Sequence, residues 1–230
     1  VSLADLFRQL SILIGLPAVL LAGAGAAAIV IARDWRLSLF GFALVSLMLS
    51  LLLSQIIPTE WALMQAIAGG LIAVLLFLSA RQLRWTAGSG QPWDLRWPIM
   101  ASLTSFRLLA VALAAVTFAV VRGRISVPGL DPLFRDAMLW LVLMGLLGLS
   151  LHAEPLHAGL CLLVFLGAVE LLLFTLFQRR MLIGLWMGGQ VLLGLAIAYL
   201  VVARGLAALP PNDTLRDRID QDRRFFGGPL

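Results

Sequence analysis

The sequence predicts an all-α polytopic transmembrane bundle of about seven spans, with the N-terminus outside and the C-terminus cytoplasmic. Three observations carry that expectation. Of the 230 residues, 61% are hydrophobic and 13% charged, whereas a soluble domain is roughly half apolar and about a quarter charged. The apolar residues come in runs of about 20, each long enough to cross a hydrocarbon core of about 30 Å as a helix. No segments of about ten residues with alternating polarity, the pattern a barrel needs, interrupt them. A water-soluble globule and a β-barrel are therefore both excluded.

Taken in order, the spans fall at 9–32, 37–57, 61–80, 99–121, 137–151, 156–177 and 181–203. The first follows Arg8 and contains the small-residue run Ala22 to Ala28. That run permits either a cleaved secretory signal or a retained helix in which Gly23 and Ala27 admit a close neighbour; the retained helix is the expectation. Pro17 interrupts this span only near its start. Pro58, Thr59 and Glu60 alone separate the second and third spans, which forces a tight antiparallel hairpin. Residues 81–98 form a link with Trp85, Trp93 and Trp97 as interfacial anchors. The polar turn 122–136, with Pro128, Gly129 and Pro132, is the best internal boundary, and it leaves the fifth span short. The chain thus divides into a helical half 1–98, a linking span and turn 99–136, a three-helix half 137–203 and a cytoplasmic tail 204–230. The tail mixes signs, from Asp213 to Arg224, and reads equally as a docking segment or as a solvated end.

Every basic residue is an arginine, and the arginines sit singly or in pairs at span ends rather than in blocks, so the net charge of +5 implies no nucleic-acid partner. Ten of them fall on the side of Arg33, Arg36, Arg81 and the tail, against six on the side of Arg8, Arg122 and Arg179. Because positive residues concentrate on the cytoplasmic side, this count gives the orientation. The single cysteine, Cys161, allows no intrachain disulfide and no thiolate metal site within the chain. No metal and no cofactor are expected, and the absence of a Gly-x-Ser-x-Gly elbow, a His-Glu-x-x-His pair or a phosphate-binding loop argues against catalysis by this chain alone.

Ionisable groups within spans are costly and so draw attention first. Glu170 lies about 12 Å inside one end of the sixth span and Arg107 lies similarly deep in the fourth. Together they read either as a protonatable relay or ion pair along a wet path, or as a single structural pair, or separately, with Arg107 snorkelling to the interface and Glu170 bonded to a neighbouring subunit. Gln190, Gln65 and Glu60 complete the ion-path candidates, with interhelical bonding as the simpler role for the two glutamines and helix-start capping for Glu60. His152, Glu154 and His157 share the turn between the fifth and sixth spans, where they read as an interfacial histidine pair, a weak metal site or a pH-sensitive contact. Gly184, Gly188, Gly145 and Gly148 are candidates for close helix packing, as expected of a protein that fits against other membrane subunits and lipid and takes no soluble small-molecule substrate.

Two stretches resemble known families. Pro58-Thr59-Glu60-Trp61-Ala62-Leu63-Met64-Gln65, followed by Leu71 to Leu78, is similar to the acidic-x-Ala-Leu-x-Gln pattern and the next helix in small membrane domains of Mrp-type antiporters and membrane hydrogenases, and more loosely to the J subunit of respiratory complex I. The last three spans resemble the K subunit of complex I and the antiporter C subunit. Leu166-Gly167-Ala168-Val169-Glu170-Leu171 stands where that family has Leu-Asn-Ala-Val-Asn-Leu, and Gln190 to Ala196 stands where it has Glu-Ala-Ala-Ile-Gly-Leu-Ala. The resemblance implies a J-like half joined to a K-like half, in a multi-pass subunit of a prokaryotic inner (cytoplasmic) membrane complex. It also implies membrane acids at three positions that are Gly69, Leu163 and Gln190 here, so most proton-carrying groups are lost. Glu170, two helical turns from Leu163, is placed to replace one of them. The alternatives are an independent secondary transporter or channel and a purely structural or assembly protein.

Overall fold

Proline and aspartate set most helix starts in this chain. In the computed structural model, which describes residues 15–32, 34–86, 97–124, 131–177 and 180–207, seven helices follow one another and no strand occurs among the described residues. Helix α1 (Leu16–Ile31) opens with Pro17 in its first turn, behind Gly15 at φ 106°, a backbone region that only glycine enters without strain. Helix α2 (Trp35–Leu53) starts after Asp34 and runs into the turn that ends at Pro58. Helix α3 (Thr59–Thr86) begins directly beyond it. Helix α4 (Trp97–Val121) is followed by α5 (Pro132–Leu151), where Pro132 fills the first position and the Asp131 carboxylate accepts from the Leu133 N–H at 2.9 Å. Only residues 152–154 separate α5 from α6 (Pro155–Leu176), and α7 (Arg180–Ala207) ends the described chain.

Five of the helices, α2, α3, α5, α6 and α7, are long and apolar enough to cross a membrane, while the apolar stretches of α1 and α4 span 16 or 17 residues. Differences from the sequence expectations lie at helix ends. Pro17 starts α1 instead of interrupting it. The fifth helix is not short: it reaches back to Pro132, because Asp131 and Pro132 form a helix start within the segment expected to be a polar turn, and Arg135 and Asp136 pair at 3.0 Å inside its first turns. Helix α3 extends to Thr86, which shortens the link to α4. Arg8, Trp93, Pro128, Gly129 and the tail from Asp213 lie outside the described residues, as do the side chains of Trp85 and Trp97.

Helices α2, α3, α7 and α6 contact one another in that cyclic order and close a four-helix ring. Helices α1 and α5 pack outside α2 and α6, and α4 lies against α1 and α5, with Phe118 edge-on to Trp140. Since apolar helices have no solvent-driven reason to associate in lipid, close backbone approach carries the packing. An added Cβ at Gly25 of α1 would stand 2.9 Å from the Gly41 carbonyl oxygen of α2. Gly145 of α5 would meet Phe165 of α6, with its backbone at 3.0 Å, and Gly148 would run into Cys161. On Gly23, the Trp140 indole lies flush and donates to the Gly23 carbonyl at 3.1 Å. Of the α7 pair, Gly184 has only ordinary contact with Trp61, and Gly188 faces open space with nothing within 4 Å, so neither admits a close neighbour helix within the described chain. The tight α7 contacts come instead at Gly194, against Ile72 of α3, and at Ile197, against Gly159 of α6.

Candidate functional site

The ring of α2, α3, α6 and α7 encloses a polar cluster in an otherwise apolar interior. Glu170 is fully buried on α6 (0% exposed), with Gln65 of α3 (3%) and Gln190 of α7 (8%) beside it. The Gln65 Nε2 donates to Glu170 Oε2 at 2.7 Å and to Gln190 Oε1 at 3.0 Å, and the Gln190 Nε2 donates to the same Glu170 Oε2 at 2.7 Å. Three residues separated by 105 and 20 positions in the chain thereby form a closed triangle. An ionised carboxylate requires this orientation of both amides, since each must turn its NH2 toward it. Charge-assisted donation of this kind favours the anion, while burial in an apolar interior opposes it.

The triangle leaves two acceptors over. Glu170 Oε1 and Gln65 Oε1 are buried and bonded to nothing among the described residues. Both residues line a cavity of about 20 Å3, together with Ser46 of α2, Gly69, Leu163 and Gln190. That volume exceeds the roughly 10–15 Å3 that one water requires. Because the orphaned atoms are oxygens without hydrogens, the cavity suits a guest that brings hydrogens or positive charge. Glu170 and Gln65 each lie six residues from the nearer end of their helix, about 9 Å along the axis. Gln190 lies ten residues from the start of α7, about 15 Å. The cluster therefore sits below one end of the bundle, not at its surface.

Gly69, Leu163 and Gln190, the positions that the resemblance sets opposite membrane acids, line this one cavity with Glu170. An acid at 69 has no room here, because any Cβ there would overlap the Ser46 hydroxyl. Ser46, which sequence reasoning passed over, is the polar contribution of α2. Its signal was weak, since serines in apolar helices commonly bond back to their own carbonyls, as Ser50 does to Leu47 at 2.8 Å.

The other candidates lie elsewhere. Glu60 is exposed in the first turn of α3 and takes no part in the cluster. Arg107 forms no pair with Glu170; it is half-buried on α4, and its charge acts on His152, Glu154 and Cys161. The physical reason is register: α4 packs on α5, and Arg107 comes level with the end of α5 instead of the middle of α6.

A second polar group occupies that end. His152 and His157 stack with ring centroids 5.0 Å apart and planes within 6° of parallel. Both are buried. The His152 Nδ1–H donates to the Gly148 carbonyl at 3.0 Å, and the His157 Nδ1 meets Glu154 Oε2 at 3.1 Å. Neither Nε2 has a partner among the described residues. Burial holds the His152 ring below its ordinary value of 6.5, against the bond to Gly148, which raises it. The hydrogen bond from His157 holds the Glu154 carboxyl below 4.5. No three His, Cys, Asp or Glu side chains converge as metal ligands among the described residues. No protein-family model matches the chain, and neither the curated proteins nor the solved structures include one that matches it.

Proposed function

We propose that this chain is an integral membrane subunit of a larger ion-translocating assembly of the complex-I-like or Mrp-antiporter-like kind. It crosses a prokaryotic inner membrane seven times, N-terminus outside, and completes its partner subunits without catalysis or a redox cofactor of its own. Within it, Glu170 is the proton-exchanging group, flanked by Gln65 and Gln190. The observation that carries this reading is the buried triangle itself. A carboxyl without an arginine or histidine partner among the described residues is an expensive feature in lipid, and such groups mark ion paths more often than structural pairs. Glu170 shares its cavity with Gly69, Leu163 and Gln190, so among the described residues it is the one carboxyl in that lining. One carboxyl with two amides makes a single relay station, not a wire, which is why the reading assigns the rest of the path to partner subunits.

Purification of the tagged chain from its native membrane in mild detergent, with mass spectrometry of what accompanies it, tests the assembly. Stoichiometric recovery of large antiporter-like membrane subunits is the expected result; recovery of the chain alone as a stable monomer or homo-oligomer overturns it. In the recovered assembly, Glu170→Gln should abolish or strongly slow ion translocation while leaving assembly intact, and unchanged translocation removes Glu170 from the path. A second reading, an independent secondary transporter, is favoured by one fact: four helices of a single chain close the ring around the cavity. Ion flux through proteoliposomes holding only this chain decides for that reading, because a supporting subunit is silent alone.

A further inference from the structure

The turn between α5 and α6 is held by hydrogen bonds from two buried imidazoles and by the stack they form. With its Nδ1–H given to the Gly148 carbonyl, neutral His152 presents a bare lone pair at Nε2, and that atom is buried and unpartnered. A second proton there would create a buried N–H with no acceptor, on a ring lying face to face with His157 at 5.0 Å. The charged groups that face it leave it little relief. From α4 comes the Arg107 cation, and from α6 comes His157. From α7 the Arg204 guanidinium reaches the turn and donates to the Ala153 carbonyl at 3.2 Å. The one anion that acts on it among the described residues, Glu154, is already bonded to His157 Nδ1. Helix α5 contributes only the Gly148 carbonyl, which is in use.

We propose that the His152–His157 stack is a proton-operated latch, in which protonation of His152 unstacks the rings, opens the α5–α6 turn and releases the last turn of α7 from Ala153. The chemistry is one proton taken from solution at His152 Nε2, with no bond broken except hydrogen bonds. Closed, the latch ties together the ends of α5, α6 and α7 and keeps Arg107 beside them. Open, the imidazolium turns out to water, where its charge is solvated, and Arg204 loses its acceptor. Two stacked rings suit this task better than one, because the second ring makes the first charge costly and the opening correspondingly sharp. The latch is independent of the Glu170 cluster and holds whether or not the chain works within an assembly.

The test uses the full chain in lipid nanodiscs. With only two histidines in the sequence, nuclear magnetic resonance of labelled imidazoles follows both rings directly, and His152→Gln assigns them. Hydrogen exchange, corrected for the intrinsic effect of pH, reads the amides of His152 and Ala158, which bond to Gly148 and Glu154. Between pH 7.5 and 5.5 the wild type should lose at least tenfold of its protection there, in step with the titration of His152, while α2 stays unchanged. The His152→Gln chain, which keeps a side-chain donor for Gly148 but cannot gain the charge, should change less than twofold. Arg204→Gln should lower protection of the turn already at pH 7.5. Undiminished protection of the wild-type turn at pH 5.5 overturns the latch, and so does an equal loss in His152→Gln. If that variant fails to fold, the wild type still decides: loss of protection at a pH where the His152 ring does not titrate rules the proposal out.

Discussion

Helix α6 carries both polar clusters of this protein, about 20 Å apart along its axis, and they are built in opposite ways. At one end, His152, Glu154 and His157 bond to residues three or four positions away, to a backbone carbonyl and to each other, with arginines from α4 and α7 close by. At the other end, Glu170 is held by side chains from two other helices, Gln65 and Gln190. The local cluster can open without moving a helix, because its bonds lie within one turn of chain. The distant cluster exists only while α3, α6 and α7 are packed in register. A switch suits the first and a fixed station for an ion suits the second.

Breaking the distant cluster should have the largest effect. Glu170→Leu strands two buried amide donors at once, and at about 1–3 kcal/mol for each unsatisfied group the loss should approach about 4 kcal/mol. Glu170→Gln keeps an acceptor and should lose about 1 kcal/mol. Reversible unfolding in mixed micelles checks both, and equal losses would show that an amide oxygen at this position does not satisfy the two donors.

The two ends can also be broken separately through their glycines. Gly69→Ala drives a methyl into Ser46 at the cluster, and Gly148→Ala drives one into Cys161 beside the histidine turn. Each should cost about 1–3 kcal/mol, the usual range for overpacking. Imidazole signals should shift in Gly148→Ala and stay in place in Gly69→Ala; movement in both would mean that α6 transmits strain between its ends. Gly188→Ala meets nothing and should be neutral or gain up to about 1 kcal/mol from helix propensity.

What the sequence disclosed follows the same division. The all-helical class, the Pro58 hairpin and the histidine turn rest on local signals, composition and proline placement, and all are present among the described residues. Glu170, Gln65 and Gln190 stood out one by one because polar groups are rare in apolar runs, yet nothing in their spacing joins them: helices apolar on every side give no face to orient. For the same reason the pairing of Arg107 with Glu170 stayed one alternative among several, and only the packed helices set Arg107 at the histidine end. Ser46 and Gly194 matter through the helix opposite, which no periodicity reveals.

The smallest loss should come from Glu154, and it separates the two titrations at the local end. The folded state holds the His152 ring below 6.5, so below that pH the unfolded chain binds more protons and stability falls with acidification. Glu154 is held below 4.5, so its contribution is present above that value and is lost as pH falls further. The carboxylate is 78% exposed, and an exposed pair is worth about 0.2–1 kcal/mol. Glu154→Gln should therefore cost less than about 1 kcal/mol at pH 7 and flatten the stability curve below pH 4.5, while the fall that begins near pH 6.5 persists. Should the substitution erase the upper limb instead, the sensitivity of the turn would belong to the His157–Glu154 pair and not to His152, and the latch driven by His152 would be overturned.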